Sequence, residues 1–309
     1  MRVRLSGYQG QGSVHTRGLH HLAGRLSAAG IASDVEEDVT ARGRAAMDLF
    51  RDAERDDAHL CYMASGYLTA RVPSLAVLDL PMTVRDRLRA HEALDGRAGR
   101  MLADDVSEST DFHVLGFWDN GLRHISNRAR PIRSPADCSG LVIRTLDNEI
   151  YQRTLSAFGC KPVVTDVREL RHAVATGTVD AQENPLTNML NFGLHEHHRF
   201  LSLTGHIFGV ALLLCRASWF RKLPAALAAA IAEAAAAATR AQRAFAMEED
   251  RVALKRLEGF GVQAIAHADL DVAGFQRAVA PVIAEALSSI DGGLVDAYFG
   301  TRHPLAAAR

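Results

Sequence analysis

Two arginines and an asparagine, each beside a strand-like run, are the side chains in this sequence best equipped for chemistry. Gly116-Phe117-Trp118-Asp119-Asn120-Gly121-Leu122-Arg123 ends on Arg123, and Gly140-Leu141-Val142-Ile143-Arg144 ends on Arg144. Asp180-Ala181-Gln182-Glu183-Asn184-Pro185 carries Asn184. A guanidinium offers a planar fork of donors that fits both oxygens of a carboxylate. An Asn amide adds a neutral donor and acceptor. The apolar residues before Arg144 are expected to bury its stem and aim its head at a cleft. Each residue also has a structural alternative. Arg144 or Arg123 could pair with an internal acid, and Asn184 could cap a helix starting at Pro185.

Other constellations point less clearly to function. Gly7 to Gly12 holds three glycines, but lacks the Lys-Ser/Thr ending of a phosphate loop and the spacing of a dinucleotide fingerprint. His195-Glu196-His197-His198 has an H-x-H spacing compatible with zinc, yet a catalytic zinc site needs a third ligand and an open position. There is no G-x-S-x-G elbow, no H-E-x-x-H pattern and no cysteine in a nucleophile context. No catalytic residue, cofactor or metal ligand is therefore assigned. A metal-assisted hydrolase using the His195 region is the rival reading.

The elements that must position these groups alternate. Strands are predicted at Val3 to Ser6, Ala58 to Met63, Phe112 to Trp118, Leu141 to Thr145, Lys161 to Val164 and Val179 to Gln182. Helices fall between them, around Leu19, Leu22 and Leu26, over Ile150 to Phe158 and over Val167 to Ala175. The alternation predicts an α/β fold with a largely parallel sheet. At Asp119-Asn120-Gly121 the chain is expected to turn and cross between domains. Phe200 to Cys215 reads as two strands parted near Gly205-His206, a return crossing. Pro224 to Leu257 reads as one helix of about 51 Å, longer than one small domain is wide. The loop from Ala64 to Ala70 follows a strand's C-terminal end, where ligands of open α/β sheets bind, and offers Ser65 and Tyr67.

Composition is that of a soluble globular protein: 309 residues, 48% hydrophobic, 23% charged, formal net charge −1. That balance points away from nucleic acid and anionic membrane surfaces. No apolar run reaches the roughly 18 to 20 residues of a membrane span. Cys61, Cys138, Cys160 and Cys215 show no C-x-x-C pairing and are expected to be reduced and buried.

The ordered set of Gly121-Leu122-Arg123, Arg130-Pro131-Ile132, Gly140-Leu141-Val142-Ile143-Arg144 and Asp180 to Pro185 resembles the substrate-binding subunit of TRAP (tripartite ATP-independent periplasmic) transporters. The likeness continues less sharply through His15, Val72-Pro73 to Leu80-Pro81, His206 and Trp219. It implies a two-lobed, periplasmic-binding-protein-like α/β fold with a long helix spanning both domains. The expected division is 1–121 plus 206–250 and 122–205 plus 251–309. It also implies that Arg144 binds the substrate carboxylate, that Arg123 and Asn184 add contacts, and that a TRAP membrane subunit receives the liganded monomer. His15 matches a family histidine and Trp118 sits at the crossing; either could wall the pocket or simply pack. Val167 lies near a place where some relatives present an aromatic ring. Met1-Arg2-Val3-Arg4-Leu5-Ser6 runs straight into strand-like sequence without a signal peptide. A periplasmic location is therefore expected on resemblance alone, and a cytoplasmic sensor of the same fold is the alternative.

Overall fold

Two long strands join the halves of the molecule. A computed structural model describes residues 2–301 and Leu305. In its first part β1 (Arg2–Ser6), α1 (Val14–Ala28), β2 (Ala32–Glu36), α2 (Asp48–Glu54), β3 (Leu60–Ala64), α3 (Arg87–Asp95) and α4 (Arg97–Ser109) lead into β4 (Phe112–Asn127). Then come β5 (Val142–Thr145), α5 (Glu149–Ala157), β6 (Lys161–Val164), α6 (Val167–Thr176), β7 (Ala181–Pro185) and α7 (Leu186–Asn191). β8 (Phe200–Arg216) returns, followed by α8 (Ala217–Arg221), α9 (Ala225–Gly259), β9 (Gln263–Ile265), α10 (Val272–Leu287) and α11 (Gly292–Phe299).

Among the described residues nine strands form one sheet in the order β2-β1-β3-β8-β4-β7-β5-β6, with β9 paired to β8. β1 pairs in parallel with β2 and β3, and β5 with β6 and β7. These two parallel halves are what strand–helix alternation produces. The antiparallel pair β4–β8 runs between them, from Phe112 opposite Arg216 to Asn127 opposite Phe200.

Here the sequence expectation needs correcting twice. The Asp119-Asn120-Gly121 segment does not reverse the chain, and Gly205-His206 does not split β8: both strands continue through. Asn-Gly is turn chemistry, but pairing with a long partner on both sides overrides that local preference. The anomaly is absorbed as an interruption of register. Asp119 faces Val210 and Leu122 faces Phe208, so Asn120 and Gly121 stand where β8 has only Gly209. Gly121 takes φ +79° there, which costs glycine little.

The core divides unevenly. A large cluster gathers Leu5, Leu19, Leu22, Tyr62, Trp118 and Leu213. Two smaller ones lie beyond the crossing, around Ile143, Phe158 and Phe275, and around Leu170, Val174 and Leu257. Leu287, Ile290, Leu294, Val295 and Tyr298 join the large cluster. Residues 287–298 thus pack with residues from the first part of the chain. The apolar face of α11 finds cover against α3 and α4, elements that charge and spacing could not connect to it.

α9 is a single helix of 35 residues. Its buried Ile231, Ala235 and Ala238 belong to the large cluster, and its buried Ala253 and Leu257 to a second-lobe cluster. It is also stitched to the crossing. Gln242 accepts from the Asp119 amide at 2.8 Å and donates to the Asp119 carbonyl at 2.7 Å. Trp118 Nε1 donates to Thr239 Oγ1 at 3.1 Å. Backbone groups that the bulge would otherwise orphan are thereby satisfied.

Candidate functional site

Arg144 ends the apolar part of β5 and is 2% exposed. Its Nε and Nη2 both donate to the Thr165 carbonyl, at 2.8 and 2.5 Å. That contact uses one edge of the guanidinium and leaves the Nη1/Nη2 edge for another acceptor. Among the described residues no carboxylate forms an ion pair with it. The Tyr67 phenol is pushed up by burial, an effect the adjacent Arg144 charge opposes. A buried cation without a counter-charge is costly, and an arriving anion removes that cost.

Arg123 is different. It sits on β4, 3% exposed, opposite Pro185 of β7. Its Nε donates to Glu183 Oε2, its Nη2 to Glu183 Oε1 at 2.9 Å and to the Glu183 carbonyl at 2.8 Å. Thr145 Oγ1 donates to the same Glu183 carboxylate at 2.9 Å. Burial alone would raise the Glu183 carboxyl; the Arg123 charge and hydrogen bonds from His206 and Arg123 outweigh it, bringing it down to about 2. The Arg123 charge is therefore cancelled within the protein. Asn184 Oδ1 accepts from Arg123 Nη2 at 3.3 Å, and its Nδ2 donates to Gln182 Oε1 at 2.6 Å.

Arg144, Arg123, Asn184, Tyr67 and Val167 share the wall of one small cavity of about 20 Å³, room for about one water molecule. Three other residues singled out in the sequence do not reach it. His15 stacks on Tyr62 with ring centroids 4.8 Å apart. Burial takes it down to about 4, so it is neutral at physiological pH. Trp118 is packed against α9, and Ser65 is buried in the turn after β3.

Residues 45–289 of the chain match the family model of the bacterial extracellular solute-binding proteins, family 7. The chain belongs to the TRAP solute-binding family. A solute-binding protein of Verminephrobacter eiseniae is 34% identical over 226 residues, 73% of this chain and 67% of its own. The 2,3-diketo-L-gulonate-binding periplasmic protein YiaO of Escherichia coli is 31% identical over 210 residues, 67% of this chain. The match takes in 62% of that relative, less than two thirds of its length. In three dimensions, a TRAP periplasmic solute binding protein from Polaromonas sp. JS666, bound to D-erythronate, superposes with a TM-score of 0.90 at 25% identity, covering 98% of this chain and 99% of that one.

Both halves of the fold contribute to the cavity. Tyr8, Gln9, Ala64 and Asn120 come from the first half and its crossing, and Leu146, Asn188 and Phe192 from the second. Sequence reasoning missed these. Tyr8 and Gln9 sit inside the glycine-rich loop dismissed as a phosphate site, yet that loop follows a strand's C-terminal end and so faces the cleft. Asn120 was read as turn chemistry. Asn188 lies in α7 and Phe192 caps its end, four residues apart and so on one face of the helix.

A much larger hollow, about 640 Å³, opens nearby among Ala70, Asn148, Arg153 and Glu285, and shares only Tyr67 with the cavity. It contains neither Arg144 nor Arg123. Among the described residues no group of three or more His, Cys, Asp or Glu side chains could hold a metal ion. His198 instead is buried and bonds Ser126 at 3.0 Å. The four cysteines are free and buried. No helix among the described residues is long and apolar enough to cross a membrane.

Proposed function

We propose that this chain binds a small organic carboxylate between its two lobes, with the carboxylate on the open edge of Arg144, and presents it in the periplasm to a TRAP-type membrane transporter. The single observation that carries the reading is the contrast between the two buried arginines. Arg123 is matched by Glu183, whereas Arg144 meets the neutral Thr165 carbonyl and the Tyr67 phenol and, among the described residues, no carboxylate. Asn184 and Tyr67 then hold the ligand from the second and first lobes, and Val167 covers it. The relatives' ligands, 2,3-diketo-L-gulonate and D-erythronate, are small organic acids, which supports the same class here.

The cavity is too small for such a ligand, so entry requires the lobes to part. The bulged crossings at Asn120–Gly121 and around Gly205 are the natural hinges, with the division of lobes near residues 121 and 206. Closure excludes water and strengthens the Arg144 contact. The chemistry ends at binding, and the protein acts as a monomer.

A thermal-shift screen over hydroxy, keto, sugar and dicarboxylic acids tests this. A ligand at about 100 times its Kd adds about 2.7 kcal/mol, which at about 2 °C per kcal/mol is a rise of roughly 5 °C. Failure of every acid to raise the melting temperature would remove the basis of the proposal.

A further inference from the structure

The cavity wall says more about the ligand than that it is an acid. No Asp, Glu, Lys or His lines it. Its two arginines reduce to one effective positive charge, because Glu183 cancels Arg123. The rest of the polar wall is neutral: the amides of Gln9, Asn120, Asn184 and Asn188 and the phenols of Tyr8 and Tyr67.

Three of those amides are occupied within the protein. Gln9 Oε1 accepts from Ser13 at 2.9 Å, Asn184 is held by Arg123 and Gln182, and Asn188 Nδ2 donates to Asn184 at 3.4 Å. Asn120 is the exception. It is 5% exposed, and its Oδ1 is buried with no hydrogen-bond partner. A buried orphan acceptor in a ligand cavity calls for a donor that arrives with the ligand.

The backbone is built to hold that amide. The bulge puts Asn120 and Gly121 opposite the single residue Gly209. A Cβ at Gly209 would come within 3.2 Å of Asn120 Cβ, Asn120 Nδ2 and the Gly121 carbonyl. Any larger residue would press the amide a few tenths of an ångström from its place, and bulges characteristically re-aim a side chain in this way.

Resting on the carboxylate reading above, we infer that the ligand is a hydroxylated monocarboxylate, with Arg144 taking its one charge and Asn120 Oδ1 accepting a hydrogen bond from a ligand hydroxyl. A second carboxylate would find no free cation and would be desolvated without compensation. A plain fatty acid would leave Asn120 Oδ1 orphaned, and sites that bond a substrate hydroxyl reject the analogue lacking it. Gly209 is a positioning residue, acting through Asn120.

The test is titration calorimetry with three probe sets matched in carbon number, from three to six carbons: hydroxylated monocarboxylates such as glycerate, erythronate and gluconate, their unhydroxylated counterparts, and the dicarboxylates. At least one hydroxylated acid should bind ten times or more tighter than both matched acids. Asn120→Ala should shrink that preference to threefold or less. Gly209→Ala, which keeps the amide but displaces it, should shrink it as well, while both variants retain cooperative unfolding. A dicarboxylate or plain acid binding as tightly as the hydroxylated one overturns this inference and leaves the carboxylate reading standing. So does a preference unchanged in both variants, or the loss of a folded state in both. Absence of binding by every acid overturns both readings together.

Discussion

Replacing Arg144 with Lys keeps the charge and removes the geometry, so it isolates what the guanidinium contributes. In the protein one edge of the guanidinium is committed to the Thr165 carbonyl, at 2.8 and 2.5 Å. On the proposed reading the other edge makes two parallel bonds to a carboxylate. A Lys ammonium is a single point and cannot hold both partners with the same planar fork. If it stays with Thr165 the ligand loses its anchor; if it follows the ligand the side chain loses its support. Either way at least one charge-assisted bond, about 1.5–3 kcal/mol, disappears. That corresponds to a rise in Kd of roughly 10- to 150-fold. Titration calorimetry with whichever acid stabilises the wild type measures it, with circular dichroism confirming that the variant is folded. A Kd within threefold of wild type would mean that Arg144 does not carry the carboxylate, and the functional reading would fall with it.

Three further substitutions probe the frame around the site. Glu183→Gln strips the counter-charge from buried Arg123 and is expected to lower unfolding stability by about 3–5 kcal/mol in urea titrations. Because the Glu183 pKa is depressed to about 2 from 4.5, its contribution is fully present above pH 4.5 and is lost as pH falls through 2, so the two proteins should converge in acid. Asp79 behaves in the opposite sense: burial, opposed by hydrogen bonds from Asn148 and Thr69, raises it to about 7 from 3.8. The folded state therefore favours the protonated acid, and stability declines as pH rises from 3.8 to 7. Asp79→Asn should gain on wild type in melting temperature between pH 4 and pH 8, and parallel pH profiles would contradict this. Gly121→Ala must adopt φ +79° and brings a Cβ within 2.9 Å of Pro185 Cβ. A cost of about 1–3 kcal/mol in a chemical denaturation curve is expected, and an unchanged midpoint would show that the bulge tolerates a side chain.

Much of this architecture was legible because local pattern and global fold agree. The alternation from β5 through β7 carried its own period and stop signals, and the alanine-rich α9 had no glycine or proline in its body to break it. What the sequence concealed lies where tertiary pairing overrides local chemistry. Asn120-Gly121 looks like a turn and is instead a bulge in a strand of 16 residues. Gly205-His206 looks like a break and lies within a strand of 17. The site shows the same limit. Arg144 and Asn184 announce themselves by residue type beside a strand. The cancelling of Arg123 by Glu183 could not be read, because the two stand 60 positions apart and meet only through β4–β7 pairing. His15 was singled out by its match to a family histidine and Trp118 by its place at the crossing, but rings beside a large apolar cluster pack into it first.

On the proposed reading, the inequality between the two arginines would account for the closing of the lobes. Two uncompensated guanidiniums lining one small cavity would repel each other as water left, and the closed state would be penalised whether or not a ligand was present. Glu183 removes that penalty from one of them, and the Arg123 charge and hydrogen bonds keep Glu183 ionised while it does so. The remaining charge on Arg144 then makes closure conditional. Empty, the cavity holds a cation facing only neutral groups; filled by one carboxylate, it is neutral. If Arg144 takes the carboxylate as proposed, binding energy and closure are tied to the same atom group, and a single-charge ligand is the one that leaves nothing unmatched behind.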